Sequence, residues 1–298
     1  MNYPKISIVT PSYNQGQYLE QTIQSVLAQN YPNLEYIIID GGSTDDSVAI
    51  IKKYEKQLSY WVSEPDKGLY DAVQKGFDKS KGEIMAWINS DDLYHNKSFF
   101  IVAEIFSKYN QVNWLQGIPS FFDEAGRTVS VNPLKRWTKL DYYLGNFEWI
   151  QQESIFWRRS LWELSEKKMT TEMKYAGDLD LWLRFFRHEK LYVTSALLGG
   201  FRLRSKDQLS LEFLDQYMDE ARAKIKEELE NYLSKEEQDL VKRIKKHNAA
   251  ISKFRFTIVK KIVNKVFFQD IIKQKKHYFG YPSMINFDRL TQNFRINQ

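Results

Sequence analysis

The sequence has 298 residues, 43% of them hydrophobic and 27% charged, which are the proportions of a folded globular protein. It contains no cysteine, so disulfides, thiolate metal sites and cysteine nucleophiles are excluded. The net charge of +5 is uneven: residues 251–298 carry ten Lys and Arg against two Asp and Glu, whereas residues 1–250 are slightly acidic. An acidic main body without a basic-aromatic motif argues against nucleic-acid binding.

The first 92 residues alternate short apolar runs with segments of helical spacing. They predict strands at residues 6–10, 36–40, 60–62 and 83–89, and helices at residues 17–29, 46–56 and 68–80. Ser43 or Thr44 is expected to cap the second helix. Short, continuously apolar strands that alternate with helices are typical of an α/β fold with a doubly wound, mainly parallel, Rossmann-like sheet.

The rest of the chain is less regular. We predict a helix at 97–109, a strand at 114–122, a turn at 123–126 with a hairpin partner at 127–131, a strand at 154–158 and a helix at 178–187. Residues 211–246 are rich in Glu, Lys, Leu and Ala, and predict one or two surface helices. The chain is therefore expected to consist of an α/β domain at 1–210 and a helical, basic C-terminal extension at 211–298.

Polar residues follow all four of the first predicted strands. In sheets of this kind, ligands bind outside the carboxyl ends of the strands. Four polar strand ends at one edge are the main argument from the residues alone for a functional site, and they lie at 10–14, 40–45, 64–67 and 89–92.

The last of these strand ends reads Asn89-Ser90-Asp91-Asp92. Two adjacent carboxylates repel each other, and a divalent cation relieves that repulsion. Oxygen ligands suit Mg²⁺ or Mn²⁺. The alternative is that the two acids cap the helix at 97–109.

Three further groups have two interpretations each. Asp40, followed by two glycines, could accept a hydrogen bond from a base or ribose, or could simply belong to a turn and cap. Lys67 could neutralise a phosphate, or could be a solvated loop lysine. The polar run at 151–153 could bind sugar hydroxyls, or could be exposed.

Asp178 and Asp180 stand among apolar residues at a predicted helix start. A carboxyl group in a partly dry setting has a raised pKa, which suits a general base. The alternative is again a helix cap.

Taken in order, five segments between about residue 5 and residue 210 resemble the family 2 glycosyltransferases, which have the GT-A fold. The second segment is particularly similar to bacterial members that assemble surface polysaccharides. The segments are SIVTPSYNQGQYLEQTIQSVLAQNYPNLEYIIIDGGSTDDS, SEPDKGLYDAVQKGF, GEIMAWINSDD, QQESIFWRRSLW and YAGDLDLWLRF.

The resemblance implies a nucleotide-binding half at 1–92 and an acceptor half at 93–210. It implies that Asp178 is the general base and that Asp91 and Asp92 bind Mn²⁺ or Mg²⁺, with Asn89 in place of the family's first acid. It places Gln152, Asp180 and Trp182 near the donor sugar or acceptor. The implied nucleotide site, in which Tyr13 stacks on the base and Asp40 binds its edge, consists of Thr10, Pro11, Tyr13, Asp40, Lys67, Ser90 and Asp91.

The sequence departs from the family near Arg202. Many relatives have a His two residues after this Arg, where it helps to bind metal or phosphate, whereas this chain has Arg204. An Arg does not ligate a cation but can clamp a diphosphate. Arg202 and Arg204 are therefore expected at the diphosphate, and Asp91 and Asp92 are expected to hold the metal alone.

The implied activity is inverting transfer of a sugar from a nucleotide-sugar, most often a UDP-sugar in this family, to a hydroxyl of a glycan or lipid-linked acceptor in surface polysaccharide synthesis. A nucleotidyltransferase is a second interpretation, although residues 11–15 lack its Gly-rich basic loop. A non-catalytic carbohydrate- or lipid-binding protein is a third, but it would not need Asp91, Asp92 and Asp178 together.

The extension suggests a membrane contact. Residues 254–268 combine a broad apolar arc with lysines on the opposite face, so residues 251–276 could lie on an anionic membrane. The alternative is packing on the domain or on a second subunit of a homodimer. The chain lacks a signal-peptide pattern, a run of roughly 18 apolar residues and any cysteine, which predicts a cytoplasmic protein, soluble or peripheral on the inner face of the membrane.

Overall fold

The computed structural model describes residues 3–146, 149–205, 212–252 and 269–296. A seven-stranded sheet forms the centre, in the order β10-β6-β9-β4-β1-β2-β3, and every strand except β9 runs in the same direction. The mainly parallel α/β sheet is therefore confirmed. Its strands, numbered in chain order, are β1 (Ile6–Ser12), β2 (Leu34–Asp40), β3 (Tyr60–Ser63), β4 (Ile84–Trp87), β6 (Trp114–Gln116), β9 (Ile155–Arg158) and β10 (Tyr192–Val193).

Helices cover both faces of this sheet because each carries an apolar stripe. The first helix, for example, buries Leu19, Ile23 and Val26, at the spacing of one helix face. Each predicted helix of the α/β domain is present, with ends shifted by one or two residues. The helices are α1 (Gly16–Leu27), α2 (Ser47–Tyr54), α3 (Leu69–Lys79), α4 (Ser98–Lys108), α5 (Lys139–Tyr143), α6 (Arg159–Leu164) and α7 (Gly177–His188).

A second, four-stranded sheet lies beside the polar edge of the first. It consists of β5 (Leu93–Tyr94), β11 (Gly199–Arg202), β7 (Ser120–Phe122) and β8 (Thr128–Val131), in that order. The hairpin of β7 and β8 is confirmed, with Gly126 in its turn at a φ of 83°.

The single strand predicted at 114–122 is wrong. The segment forms β6 in the large sheet and β7 in the small one. Gly117 separates them: a Cβ there would lie 2.7 Å from a side-chain carbon of Leu198, so the chain passes too closely for a larger residue. Pro119 follows, and it has no N–H to donate to a ladder.

The described part of the C-terminal extension packs on the α/β domain. Residues 211–246 were predicted to hold one or two helices, and two are present. The predicted amphipathic segment 254–268 lies outside the described residues. A two-stranded hairpin at residues 285–296 also contacts the domain. Its Phe294 O accepts hydrogen bonds from Lys108 and Tyr109 at 2.9 Å each. The elements are α8 (Leu214–Asn231), α9 (Lys235–Ser252), α10 (Gln269–Tyr278), β12 (Ile285–Asp288) and β13 (Asn293–Ile296).

A group of four tryptophans fills the core between the large sheet and α7. Trp182 of α7 is stacked on Trp87 of β4 and on Trp114 of β6, with ring centroids 5.7 and 5.4 Å apart. Trp157 contacts Trp87 and Trp182 edge-on. This packing holds the start of α7 beside the end of β4.

Within the described residues, no helix is both long and apolar enough to cross a membrane.

Candidate active site

The ends of β1 and β2 are joined by hydrogen bonds between their loops. Asn14, in a left-handed conformation, donates its N–H to Ser43 Oγ at 2.8 Å and accepts the N–H of Thr44 at 2.9 Å. Gly16 N–H donates to Asp45 Oδ2 at 2.8 Å. The expected capping of α2 by Ser43 or Thr44 is wrong, because both residues are used in this link between loops and Asp46 occupies the N-cap position.

Asp40 lies buried at the end of β2. Its Oδ2 accepts hydrogen bonds from the N–H of Ser43 at 2.9 Å and from Ser63 Oγ at 2.7 Å, and its Oδ1 accepts one from Ser43 Oγ. The carboxylate therefore fixes the Gly41-Gly42 turn, as the structural interpretation expected. Binding of a base edge by Asp40 stays a prediction.

Asp66, which the sequence analysis did not single out, lies beside the Gly41-Gly42 turn. Its carboxylate lies against Gly41, where a Cβ would be 2.7 Å from Asp66 Oδ2. Burial raises the pKa of Asp66. Lys67, next in the chain, is exposed, and its contact with a phosphate stays a prediction. The signal in the sequence was the glycine pair Gly41-Gly42, because a glycine pair directly after a strand indicates tight backbone packing.

The predicted nucleobase residues differ in exposure. The side chain of Tyr13 is 61% exposed, so its ring is accessible for stacking. Thr10 and Pro11 are buried within β1, and Thr10 Oγ1 is hydrogen-bonded to Tyr36 Oη at 3.1 Å. Of these three, Tyr13 alone presents its side chain to solvent.

The acidic pair after β4 forms a tight turn. Asp92 N–H donates to Asn89 O at 3.1 Å, and Asp92 Oδ1 accepts the backbone N–H of Arg202 at 2.7 Å. Asp91 Oδ2 lies 3.1 Å from Arg204 Nε. The capping alternative for the two acids is wrong, because α4 begins at Ser98 and Lys97 is its N-cap residue.

The two arginines hold this turn from the other side. Arg202 is fully buried, and its guanidinium donates to the carbonyl oxygens of Asp91 and Glu124. A diphosphate contact by Arg202 stays a prediction. Arg204 contacts the carboxylate of Asp91 and donates to Gln15 Oε1 at 3.1 Å, so its largely buried side chain links the Asp91–Asp92 turn to the loop after β1.

Residues 151–153 are buried, so their interpretation as an exposed polar run is wrong. Gln152 Nε2 donates to Trp87 O at 2.6 Å, whereas its buried Oε1 has no hydrogen-bond partner within the described residues. A buried oxygen without a partner is suited to accept a hydrogen bond from a hydroxyl of a bound sugar.

Glu153 is the second acid that sequence reasoning missed. Burial raises its pKa to about 7, and burial raises the pKa of its neighbour Asp92 well above the usual range, with the charge of Glu153 adding to that rise. The two carboxyl groups are hydrogen-bonded, so one proton between them relieves the repulsion. The charges of Asp91 and Asp178 also raise the pKa of Glu153, which shows that the four acids share one region.

Two glycines let β11 pass close to its neighbours, Gly199 to Glu153 and Gly200 to Ser120. A Cβ at Gly199 would lie 2.0 Å from the carbonyl oxygen of Glu153, and one at Gly200 would lie 2.4 Å from Ser120 Oγ. The pair Gly199-Gly200 was therefore a sequence signal for close backbone approach beside the site.

Gly199→Ala is expected to lower the free energy of unfolding by about 3 kcal/mol or more, because the methyl overlaps backbone that the neighbouring strands hold in place. Chemical denaturation of both proteins measures the loss. Gly145→Ala is the comparison, since Gly145 has a φ of 89° but open space around its Cβ position, and should cost only about 1–2 kcal/mol. A smaller loss at position 199 than at 145 would contradict the close approach.

Asp178 lies in the first turn of α7. It is partly exposed, and its Oδ1 accepts the N–H of Leu179 at 2.8 Å. Burial raises the pKa of Asp178 to about 6, against the hydrogen bond from Leu179 N–H, which lowers it. Because Trp182, one turn further along α7, stacks on Trp87 of β4, Asp178 lies near the turn that follows β4.

Asp180 and Trp182, which were predicted to contact the donor sugar or acceptor, are packed inside the protein. Asp180 is buried and forms ion pairs with Arg184 at 2.9 Å and Lys224 at 3.0 Å. Both faces of the Trp182 ring are covered by Trp87 and Trp114, so no sugar can stack there. The structure thus brings Gln152 and Asp178 to the site and places Asp180 and Trp182 beneath it.

The donor atoms at the Asp91–Asp92 turn fit a divalent cation whose coordination is completed by a ligand. Within the described ranges, no cluster of three or more His, Cys, Asp or Glu could hold a metal by itself. Mg²⁺ and Mn²⁺ bound by one or two carboxylates usually take further oxygens from phosphates and water. Such a cation at Asp91 would separate its carboxylate from Arg204.

The sequence was compared with models of known protein families, and the result agrees with the fold. The model described as "Glycosyl transferase family 2" matches residues 7–174. The chain belongs to the family 2 glycosyltransferases. It is therefore a transferase, and the GT-A fold expected from its motifs is confirmed by solved structures.

Bacterial glycosyltransferases are among the relatives of this family member. An uncharacterized glycosyltransferase of Rickettsia prowazekii is 26% identical over 230 residues, which cover 72% of this chain and 70% of the relative. A putative teichuronic acid biosynthesis glycosyltransferase, TuaG of Bacillus subtilis, is 38% identical over 92 residues, or 30% of this chain and 36% of the relative.

Two solved structures share the fold of this family 2 member. S. aureus TarS residues 1–349, in complex with UDP-GlcNAc, has a TM-score of 0.63 at 20% identity, over 92% of this chain and 80% of that one. In another TarS structure this chain spans 46% of the length. The mannosyltransferase PcManGT of Pyrobaculum calidifontis, in complex with GDP-Man and Mn²⁺, has a TM-score of 0.57 at 14% identity, over 93% and 85%.

Proposed function

We propose that this glycosyltransferase moves a sugar from a nucleotide-sugar, a UDP-sugar first of all, to a hydroxyl group of a glycan or lipid-linked acceptor, with inversion at the anomeric carbon. The observation that supports this most is the position of Asp178. A partly exposed carboxyl group with a pKa near 6 stands in one region with the Asp91–Asp92 turn. A base is thereby placed beside the acids that would hold the donor's diphosphate.

Asp178 would accept the proton of the acceptor hydroxyl as that oxygen attacks the anomeric carbon. A group with a pKa of about 6 is largely ionised at neutral pH and can still take up a proton. The attack would occur on the face opposite the leaving diphosphate, which gives inversion. Gln152, with its unpaired buried oxygen, would accept a hydrogen bond from a hydroxyl of the donor sugar.

The leaving nucleoside diphosphate carries negative charge that must be stabilised. Asp91, with Asp92 behind it, would hold Mn²⁺ or Mg²⁺, and a bound divalent cation would neutralise the diphosphate. Arg204, which pairs with Asp91, and the exposed Lys67 would add positive charge. Tyr13 would stack on the base, and Asp40 would keep the adjoining turn in place for it or bind its edge.

A UDP donor is proposed because the TarS structures contain UDP-GlcNAc and UDP, although PcManGT contains GDP-Man. Calorimetric titration with UDP-, GDP- and dTDP-sugars, with and without Mn²⁺, tests the donor class. Saturable binding of a UDP-sugar that tightens with Mn²⁺ is expected. Binding of a nucleoside triphosphate together with a sugar phosphate, but of no nucleotide-sugar, would favour a nucleotidyltransferase instead.

We also propose that the extension brings the enzyme to an anionic membrane, where a lipid-linked acceptor would be located. Exposed basic residues from two helices line one groove. Six lysines on these helices are exposed, and they are Lys235, Lys242, Lys245, Lys246, Lys273 and Lys276. Each basic residue near such a surface contributes about 1 kcal/mol of attraction.

Reversing two of these charges, Lys273→Glu with Lys276→Glu, is expected to weaken binding to vesicles that contain phosphatidylglycerol by about 100-fold or more. Co-sedimentation measures the change. The matched control, Lys52→Glu in α2 with Lys56→Glu in the turn that follows it, reverses two exposed charges equally and should have a much smaller effect. Equal losses in both pairs would reject a specific surface at the extension.

A further inference from the structure

One face of α8 contacts α7 and the segment before it through three charged residues. Glu220, Lys224 and Glu228 are spaced four residues apart, so they form one row along the helix. Lys224 pairs with Asp180 at 3.0 Å, and Glu228 pairs with Arg187. The extension therefore follows α7, the helix that carries Asp178, along most of its length.

Glu220 stands at the end of this row nearest Asp178. Its Oε1 accepts the backbone N–H of Lys174 at 2.9 Å. Its Oε2 accepts the N–H groups of Tyr175 at 2.9 Å and Ala176 at 2.8 Å. One carboxylate from the extension thus accepts three consecutive backbone N–H groups just before α7 begins at Gly177.

The same segment is held from the opposite side. Tyr70 of α3 donates its hydroxyl to Tyr175 O at 2.9 Å. Its ring lies against Gly177, where a Cβ would be 2.6 Å from the ring carbon Cε2. The backbone two residues before Asp178 is therefore fixed between the α/β domain and the extension.

We infer that Glu220 is a positioning residue for Asp178, and this inference rests on the proposed role of Asp178 as the base. A negative charge at the start of α7 is also favoured by the partial positive charge of the helix N-terminus. Without the carboxylate, three N–H groups lose their acceptor and the start of α7 is free to shift. A base displaced by about 1 Å can cost roughly 100-fold in rate.

The other members of the row hold a different part of α7. Glu228 is buried and binds Arg187 through both carboxylate oxygens, at the last turn of the helix. This pair fastens the end of α7 far from Asp178. Glu228→Gln is therefore the matched control, because it weakens the contact between the same two helices without touching the residues before Gly177.

The test compares Glu220→Ala, Glu220→Gln and Glu228→Gln in the full-length protein. In Glu220→Ala, hydrogen exchange at the amides of residues 174–176 should become faster, kcat should fall about 10- to 100-fold, and donor affinity should stay unchanged. Glu220→Gln should be intermediate, since one amide oxygen replaces two carboxylate oxygens. Glu228→Gln should lower the melting temperature but leave kcat and the exchange of residues 174–176 unchanged.

Two results would overturn the inference. Unchanged exchange at 174–176 in Glu220→Ala would show that the carboxylate does not hold this segment. A loss of kcat in Glu228→Gln equal to that in Glu220→Ala, at equal loss of stability, would show a general effect of helix packing. Asp178→Asn is measured in parallel: if that variant stays active, the proposed base is wrong, whereas an inactive Asp178→Asn with a normal Glu220→Ala rejects the positioning role alone.

Discussion

Asp178→Asn is expected to lower kcat by about 100- to 10,000-fold, because the amide cannot take the proton of the attacking hydroxyl. Donor affinity should stay within about twofold, since the side chain is not needed to bind the nucleotide. In the wild-type enzyme, kcat should fall as the pH drops through about 6, because burial raises the pKa of Asp178 to that value and protonation removes the base. The rate at which nucleoside diphosphate is released measures kcat in the variant and its dependence on pH in the wild-type enzyme.

The control for this variant is Asp219→Asn, which removes the same charge from an exposed position on α8. It should keep normal turnover and the same pH profile. Near-normal turnover in Asp178→Asn, or a wild-type rate that does not fall on the acidic side, would remove Asp178 as the base.

Asp91→Asn is expected to remove most of the gain in donor affinity that Mn²⁺ gives, a loss of more than about tenfold. The neutral amide is a poor ligand for a divalent cation, and Arg204 loses its carboxylate partner. Calorimetry with and without Mn²⁺ measures the effect. Asp78→Asn, at an exposed position of α3, is the control and should leave the metal dependence intact.

Retention of the full Mn²⁺ effect in Asp91→Asn would sink the metal assignment. Wild-type donor binding that is tight and indifferent to Mn²⁺ would do the same. In that second case, Arg204 beside Asp91 would be the cation nearest to the diphosphate.

The nucleotide half of the site could be read from the sequence because its signals are local. Apolar runs fix the strands, and polar residues directly follow each run. Asp40, Asp91 and Asp92 were therefore found at one edge of the sheet, as expected. Their partners could not be found in this way: the N–H that donates to Asp92 belongs to Arg202, 110 residues further along the chain.

The errors in the half of the site that was expected to bind the sugar and the acceptor have a common cause, because each depends on tertiary packing. Asp180, two residues after Asp178, lies on another face of α7 and pairs with Lys224 of the extension. Trp182 lies one turn after Asp178 on the same face, but it is buried against Trp87 and Trp114. The run at 151–153 had two interpretations, sugar binding or exposure, and neither predicted that Glu153 is a buried acid with a raised pKa beside Asp92. No pattern along the chain reports such a pairing.

The boundary drawn at residue 210 separates residues that the structure joins. A change in composition correctly predicted helices after that point, but it does not show where they pack. Glu220 binds the segment before Asp178, so the extension contributes to the proposed active site. The division into a domain at 1–210 and an extension at 211–298 stays a prediction.

The central claim is that this family member transfers a sugar from a nucleotide-sugar with inversion. The most direct measurement is proton NMR of the reaction of an α-linked UDP-sugar with a hydroxyl-bearing acceptor glycan and Mn²⁺. We expect UDP and a β-linked product in equal amounts, formed by the wild-type protein and not by Asp178→Asn. An α-linked product, or release of pyrophosphate instead of UDP, would contradict it.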